Sequence, residues 1–206
     1  MKSIFAAAGL LATLAIAPFT SAQADVIYSV TQIGPTVAGP NAYTSGRDVP
    51  FTSSLQVIVT DEAAANGFSF SIPPQPSGGT PSIDGLVGIL FQTFYEGRVD
   101  FSFTLSDFLA PPVPYYLLTL GLSASPEGLL SGNVFGRNGG TDNSMTFDGT
   151  YAVSGVINSD IINFICTQGN CTYQAVQTRT TVPEPMSIAL FGAGLAGLAM
   201  VRRRKA

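Results

Sequence analysis

From Asp25 to Val182 the chain is dominated by short stretches in which apolar and small polar residues alternate. In GFSFSI, Phe68, Phe70 and Ile72 share one face and Ser69 and Ser71 the other. VDFSFTL repeats the arrangement, with Phe101, Phe103 and Leu105 against Ser102 and Thr104. A period of two is the mark of a strand with one buried face. SLQVIVT, YYLLTLGLS, SMTFDGTYAVSGVI and CTYQAVQT are further β-branched and aromatic runs, and PPQPSGG, PEG, RNGGTDN and TQGN punctuate them with turn residues. DEAAANG, Asp61 to Gly67, is the one helix-like patch here and is long enough only for a turn. The pattern predicts an all-β fold over 25–182, a single β-sandwich or jelly-roll-like domain. Its 158 residues suffice for one hydrophobic core. Phe68–Phe70 and Phe101–Phe103 look alike, but nothing around them extends the match, and no repeat is read.

The two ends follow other patterns. Lys2 is followed by an uncharged apolar stretch from Ile4 to Ala17, then Pro18, then Ala22-Gln23-Ala24. That order is the one of a secretory signal peptide, and a buried core helix would carry the polar face that this stretch lacks. Residues 1–24 are therefore set apart from the fold, with Ala22 and Ala24 marking cleavage before Asp25.

At the other end, Val182-Pro183-Glu184-Pro185 precedes an uncharged run of 15 residues, Ser187 to Val201, and four adjacent cations, Arg202, Arg203, Arg204 and Lys205. As a helix the run would be about 22 Å long against a hydrocarbon core of about 30 Å. Snorkelling cations at one end and Pro185-Met186 at the other make up the difference. A short transmembrane helix over about 186–201 is expected, with the basic tail 202–205 in the cytoplasm and the domain outside. The prolines flanking Glu184 keep 182–185 extended. Ala189, Ala193 and Gly197 form a small-xxx-small stripe, of a kind that packs helices but also follows from composition alone.

A VPEP motif, a short Gly/Ala/Leu-rich helix and a terminal basic cluster, in that order, resemble the PEP-CTERM sorting signal. The likeness covers about the last 25 residues and sets off 183–206 as a segment of its own. It implies processing by an exosortase, a membrane cysteine transpeptidase or protease, in a Gram-negative bacterium that makes extracellular polysaccharide. Pro183, Glu184 and Pro185 would be the recognition residues, and Arg202 to Arg204, with Lys205, the cytoplasmic stop. The resemblance further implies transient anchoring in the inner membrane and delivery to the cell surface or biofilm matrix. A permanent single-span anchor would have the same hydropathy.

Removing the ends changes the charge. Five of nine cations and one of thirteen carboxylates lie in them, so 25–182 keeps four arginines, no lysine and twelve carboxylates, a net charge of −8. Such a domain repels nucleic acid and anionic head groups, which leaves cations or neutral polymers, extracellular polysaccharide among them, as partners. With no histidine in the chain, Ser-His-Asp and Cys-His nucleophiles and histidine-based zinc sites are excluded. No metal or cofactor is expected.

Cys166 and Cys171 in ICTQGNCTY flank a four-residue loop, a hairpin candidate. Across a non-hydrogen-bonded pair they would be within disulfide reach, and export permits the bond. The spacing is not C-x-x-C, so the expected bond is structural and not redox-active. Asn170-Cys171-Thr172 fits the N-glycosylation pattern, which is short enough to arise by chance.

Glycosidase chemistry needs only two carboxylates at a set separation, and Glu62, Glu96 and Glu127 are candidates on that ground alone. Ordinary solvated acids look the same, and no catalytic residue is assigned. Asn138 to Ser144, with Asp142 and Asn143, departs from the D-x-[DN]-x-[DN]-G calcium loop and reads more simply as a hairpin turn. Tyr115-Tyr116 and Phe94-Tyr95 offer aromatic faces for sugar, although most rings in alternating strands belong to the core. The expectation is a non-enzymatic structural or adhesive protein. The alternatives are a carbohydrate-binding or polysaccharide-active protein with the same tag, or a permanent single-span membrane protein.

Overall fold

Antiparallel pairing joins the alternating stretches into one curled sheet. The computed structural model describes residues 25–40, 46, 48–74, 79–111, 116–159 and 166–182, with 167–170 described by backbone alone. All belong to one compact unit, Ala24–Pro183. The strands are β1 (Asp25–Ala38), β2 (Asp48–Val49), β3 (Phe51–Thr60), β4 (Phe68–Ile72), β5 (Leu86–Tyr95), β6 (Arg98–Thr104), β7 (Tyr116–Ala124), β8 (Ser131–Asn138), β9 (Thr141–Asp148), β10 (Ala152–Ser159) and β11 (Cys166–Thr181). Two short helices interrupt them, α1 (Asp61–Asn66) and α2 (Leu105–Leu109). The signal-peptide and tail-helix expectations concern residues outside the described ones.

The all-β expectation holds. The hydrogen bonding, however, follows a single path, β4-β7-β8-β9-β10-β11-β1-β3-β5-β6, with β2 paired to β1. It does not divide into the two sheets of a sandwich or jelly roll. The reason is β11, which pairs with β10 on one side and β1 on the other and so joins what would be two layers. The curl then brings the two arms of the path face to face. Phe103 on β6 meets Tyr116 on β7 edge-on at 5.8 Å between ring centroids, and Tyr28 on β1 meets Phe68 on β4 in the same way.

The period-two pattern decides what lies inside. β3 turns Phe51, Leu55, Val57 and Val59 inward, β7 turns Leu118, Leu120 and Leu122, and β6 turns Phe101 and Phe103. Each such side chain contributes about 1.5–3 kcal/mol by leaving water. Ser69, Ser71 and Ser102, on the opposite faces, are exposed.

Both helices are local events at strand ends. Thr60 caps α1 by accepting a hydrogen bond from Ala63 N at 3.2 Å. At the end of β6 the expected strand through Leu105 stops one residue early. The Asp107 carboxylate accepts from both the backbone N and the hydroxyl of Thr104, each at 2.7 Å, and this opens α2, which buries Phe108.

Candidate functional site

Where the arms of the sheet face each other, the interior is partly polar. Asn143 on β9 donates to Ser53 Oγ on β3 at 2.8 Å and to Thr93 Oγ1 on β5 at 2.6 Å, and accepts from the Tyr173 hydroxyl on β11 at 2.8 Å. All four residues are buried. Tyr173 lies over Gly155 of β10, where an added Cβ would stand 1.9 Å from the ring. Burial pushes the Tyr173 phenol above its ordinary pKa, and its hydroxyl donates to Asn143 Oδ1. A second buried amide, Gln177, exchanges two 3.1 Å bonds with the backbone of Leu130 and also donates to Thr150 O. Satisfied networks of this kind fix register and hold layers together.

A β-bulge on β6 carries a half-buried acid, Asp100. Phe94 pairs with Val99 and Thr93 with Phe101, which leaves Asp100 as the extra residue. Its Oδ2 is buried without a hydrogen-bond partner. Burial raises the Asp100 pKa, and a hydrogen bond with Thr141 opposes the shift. Thr141 and Ser159 share a buried hydroxyl pair at 3.1 Å.

The three glutamates named from sequence have different settings. Glu127 is an ion-pair strut. Arg179 on β11 pairs with it and lies 5.9 Å above the centre of the Tyr28 ring, and hydrogen bonding from Arg179 lowers the Glu127 pKa. Glu96 is exposed in the β5–β6 turn. Glu62, in the first turn of α1, lines a cavity of about 350 Å³ together with Asn66, Phe68, Ser69 and Asp84. Asp84 was not singled out from sequence, since only the fold carries its turn to α1.

Asn138 to Ser144 is the β8–β9 hairpin. Asp142 makes a bidentate pair with Arg137 at 2.6 and 2.7 Å, while Asn143 points to the opposite, buried side. Among the described residues no group of three or more His, Cys, Asp or Glu is placed to hold a metal ion. The aromatic candidates lie in two places. Tyr95 tilts against Phe51 and Tyr116, 44% exposed, stands against Phe103; Tyr115 lies outside the described residues. Tyr151, in the β9–β10 turn, is the most exposed large hydrophobic side chain described, at 69%.

Cys166 and Cys171 form the expected disulfide, with 5.1 Å between their Cα atoms. The surroundings differ from the expected two-strand hairpin. Both cysteines belong to β11, where Cys171 pairs with Ile157 and Cys166 with Ser159. Between these pairs four residues of β11 therefore pass one of β10, and the bond closes the bulge that this mismatch creates. Both sulfur residues are fully buried. Replacing both by serine is expected to lower stability by no more than about 2–3 kcal/mol, because the closed loop is small and the core remains. Urea unfolding of the oxidised protein and the double variant measures this.

The chain enters and leaves the domain at one place. Val26 pairs with Thr181, and Val182 N donates to Asp25 O at 2.8 Å. Everything after Val182 lies outside the described residues, as do Ala22, Ala24, Pro183, Glu184, Pro185 and the cations Arg202 to Lys205. Residues 181–205 match the family model of the PEP-CTERM protein-sorting motif. The tail is a PEP-CTERM sorting motif. It marks an exported protein for exosortase-dependent sorting, with transient membrane anchoring on the way. No curated protein and no solved structure matches the chain. Among the described residues no helix is long and apolar enough to cross a membrane. The matched PEP-CTERM segment begins at Thr181, the last residue of β11.

Proposed function

We propose that residues 25–182 form a non-enzymatic structural or adhesive module, which the PEP-CTERM tail delivers to the cell surface or the exopolysaccharide matrix of a biofilm. The observation that carries this reading is the sorting motif joined directly to the last strand of an all-β domain. The arrangement of the interior supports it. Its polar groups are largely spent on one another, as in the Asn143 and Gln177 networks, and such groups hold a fold together. With a net charge of −8 over 25–182, the module favours neutral polymers or cations over anionic surfaces. In this reading the PEP-CTERM helix crosses the inner membrane only until processing, with Arg202 to Lys205 in the cytoplasm.

One observation favours a second reading, a carbohydrate-binding or polysaccharide-active protein with the same tag. Glu62 and Asp84 line one cavity beside Asn66 and the Phe68 ring, a mixture of carboxylate, amide and aromatic edge suited to a sugar. Incubation of the mature protein with neutral polysaccharides, followed by reducing-end and binding assays, separates the two. The structural reading predicts no new reducing ends. Hydrolysis that is lost in both Glu62→Gln and Asp84→Asn overturns it in favour of the enzyme.

A further inference from the structure

The outer face of the sheet carries a pattern of its own. Gln174 on β11 pairs with Ser154 on β10, Ser154 with Thr146 on β9, and Thr146 with Asn133 on β8. Asn133 pairs in turn with Gly121 on β7, and Gly121 with Ser71 on β4. All six are exposed, none has a charged side chain, and together they form one row across six strands. At about 4.8 Å per strand the row is about 24 Å long. Gly121 leaves a gap in it, since nothing lies within 4 Å of where a Cβ would stand. Asn133 is held against the sheet by donating to Met145 O at 3.0 Å. Two residues further along the strands, Val156, Ser144 and Phe135 form a second row beside the first. Val156 is exposed there and Phe135 half-buried.

We propose that the row from Gln174 to Ser71 is a docking surface for a neutral polysaccharide chain lying across the strands. This rests on the reading of residues 25–182 as an adhesive module, and it names the face that adheres. Charge selects the partner. The module has a net charge of −8, yet its described carboxylates are kept off the row. Asp61 and Glu62 lie in α1, and Asp84, Glu96 and Glu127 lie in turns. The nearest along β9 are both engaged: Asp148 accepts from Thr150, and Asp142 is held by Arg137. No cation stands on the row to hold an acidic polymer or a nucleic acid. Nor does the row suit a protein partner, because interface cores favour aromatic residues and methionine over serine. Its hydroxyl and amide groups instead match a polymer of hydroxyls, which exchanges hydrogen bonds to water for hydrogen bonds to the sheet. Phe135 adds an apolar edge for the C–H groups of a sugar ring. Asn133, already pinned, loses little freedom on binding.

Binding of the purified mature protein to amorphous cellulose, curdlan and dextran, all neutral polysaccharides, tests the proposal. Two independent changes block the row. Ser154→Glu with Gln174→Lys sets a cross-strand ion pair on it and leaves the net charge unchanged. Gly121→Arg fills the gap where nothing lies within 4 Å. Urea midpoints check that both variants fold. The parent should bind at least one of the polysaccharides, and each row variant should bind it at least about tenfold more weakly. Glu62→Gln with Asp84→Asn, in the cavity, should bind within about twofold of the parent. A parent that binds none overturns the proposal, as do row variants that bind like the parent. Loss confined to the cavity variant overturns it too, since the sugar then sits at Glu62 and Asp84. Biofilm formed by producing cells separates these outcomes from failure of the adhesive reading. Deleting the gene should reduce it, and Gly121→Arg should not restore it. A deficit that Gly121→Arg repairs as well as the parent keeps the adhesive reading and overturns the proposal; no deficit overturns both.

Discussion

Glu184→Ala is expected to leave the full-length chain, less its signal peptide, in the inner membrane with its domain accessible from the periplasm. The change spares the apolar run from Ser187 to Val201 and the four cations that follow, so insertion and orientation are retained. It removes the one charge of the motif, between Pro183 and Pro185. Recognition is lost while anchoring is kept. Neutralising Arg202, Arg203 and Arg204 together should do the opposite. A run of 15 residues is short for a hydrocarbon core of about 30 Å and depends on those side chains as anchors, so the tail should slip or pass through the membrane. Cell fractionation with mass measurement distinguishes the two. Release of a shortened Glu184→Ala protein at the parent's rate would show that the glutamate is not what the enzyme reads.

Gly132→Ala should be strongly destabilising within the sheet. Gly132 has a φ of +120°, which side chains rarely adopt, and an added Cβ would stand 2.0 Å from Gly121 O on the adjacent strand β7. The clash is with backbone, so no rotamer relieves it, and β7 and β8 would have to part where Gly132 pairs with Leu122. Strain and overpacking together should remove about 3–5 kcal/mol, a large share of the roughly 5–15 kcal/mol that holds a domain folded. Gly121→Ala is the matched control. Nothing lies within 4 Å of its added Cβ, and its effect should stay within about 0.5 kcal/mol. Urea midpoints of the purified mature proteins provide the comparison; equal midpoints for the two variants would contradict the packing described at Gly132.

The alternation of Phe68, Phe70, Phe101 and Phe103 with serine made these strands legible, because one face of each is buried and the other wet. The path of the sheet was not legible in the same way. It depends on which long-range partners β11 takes, and a local period of two carries no information about partners. Thr104 and Asp107 were a readable capping signal, hidden by the apolar rhythm that continues into Leu105. The disulfide could be anticipated from export and spacing, but the bulge it closes depends on the mismatch between Ile157–Ser159 and Cys166–Cys171.

The interior polar residues were the hardest to see. Ser53, Thr93 and Asn143 occupy inward positions of their strands, yet in the sequence each resembles a solvent-facing residue. Their partners lie as far as 90 residues away along the chain, and only the curl of the sheet reveals that they satisfy one another. Asp84 joins Glu62 through the same kind of distant return. The tail, by contrast, was readable because its meaning is local: motif, apolar run and cations occupy one continuous stretch.

The PEP-CTERM tail marks this chain as exported and directs its sorting. The most direct measurement is the intact mass and location of the protein in two otherwise identical strains, one with an active exosortase and one without. With the enzyme, a species that starts at Asp25 and lacks Arg202 to Lys205 should leave the inner membrane; without it, the chain should stay there with those cations attached. Identical mass and location in both strains would contradict the account.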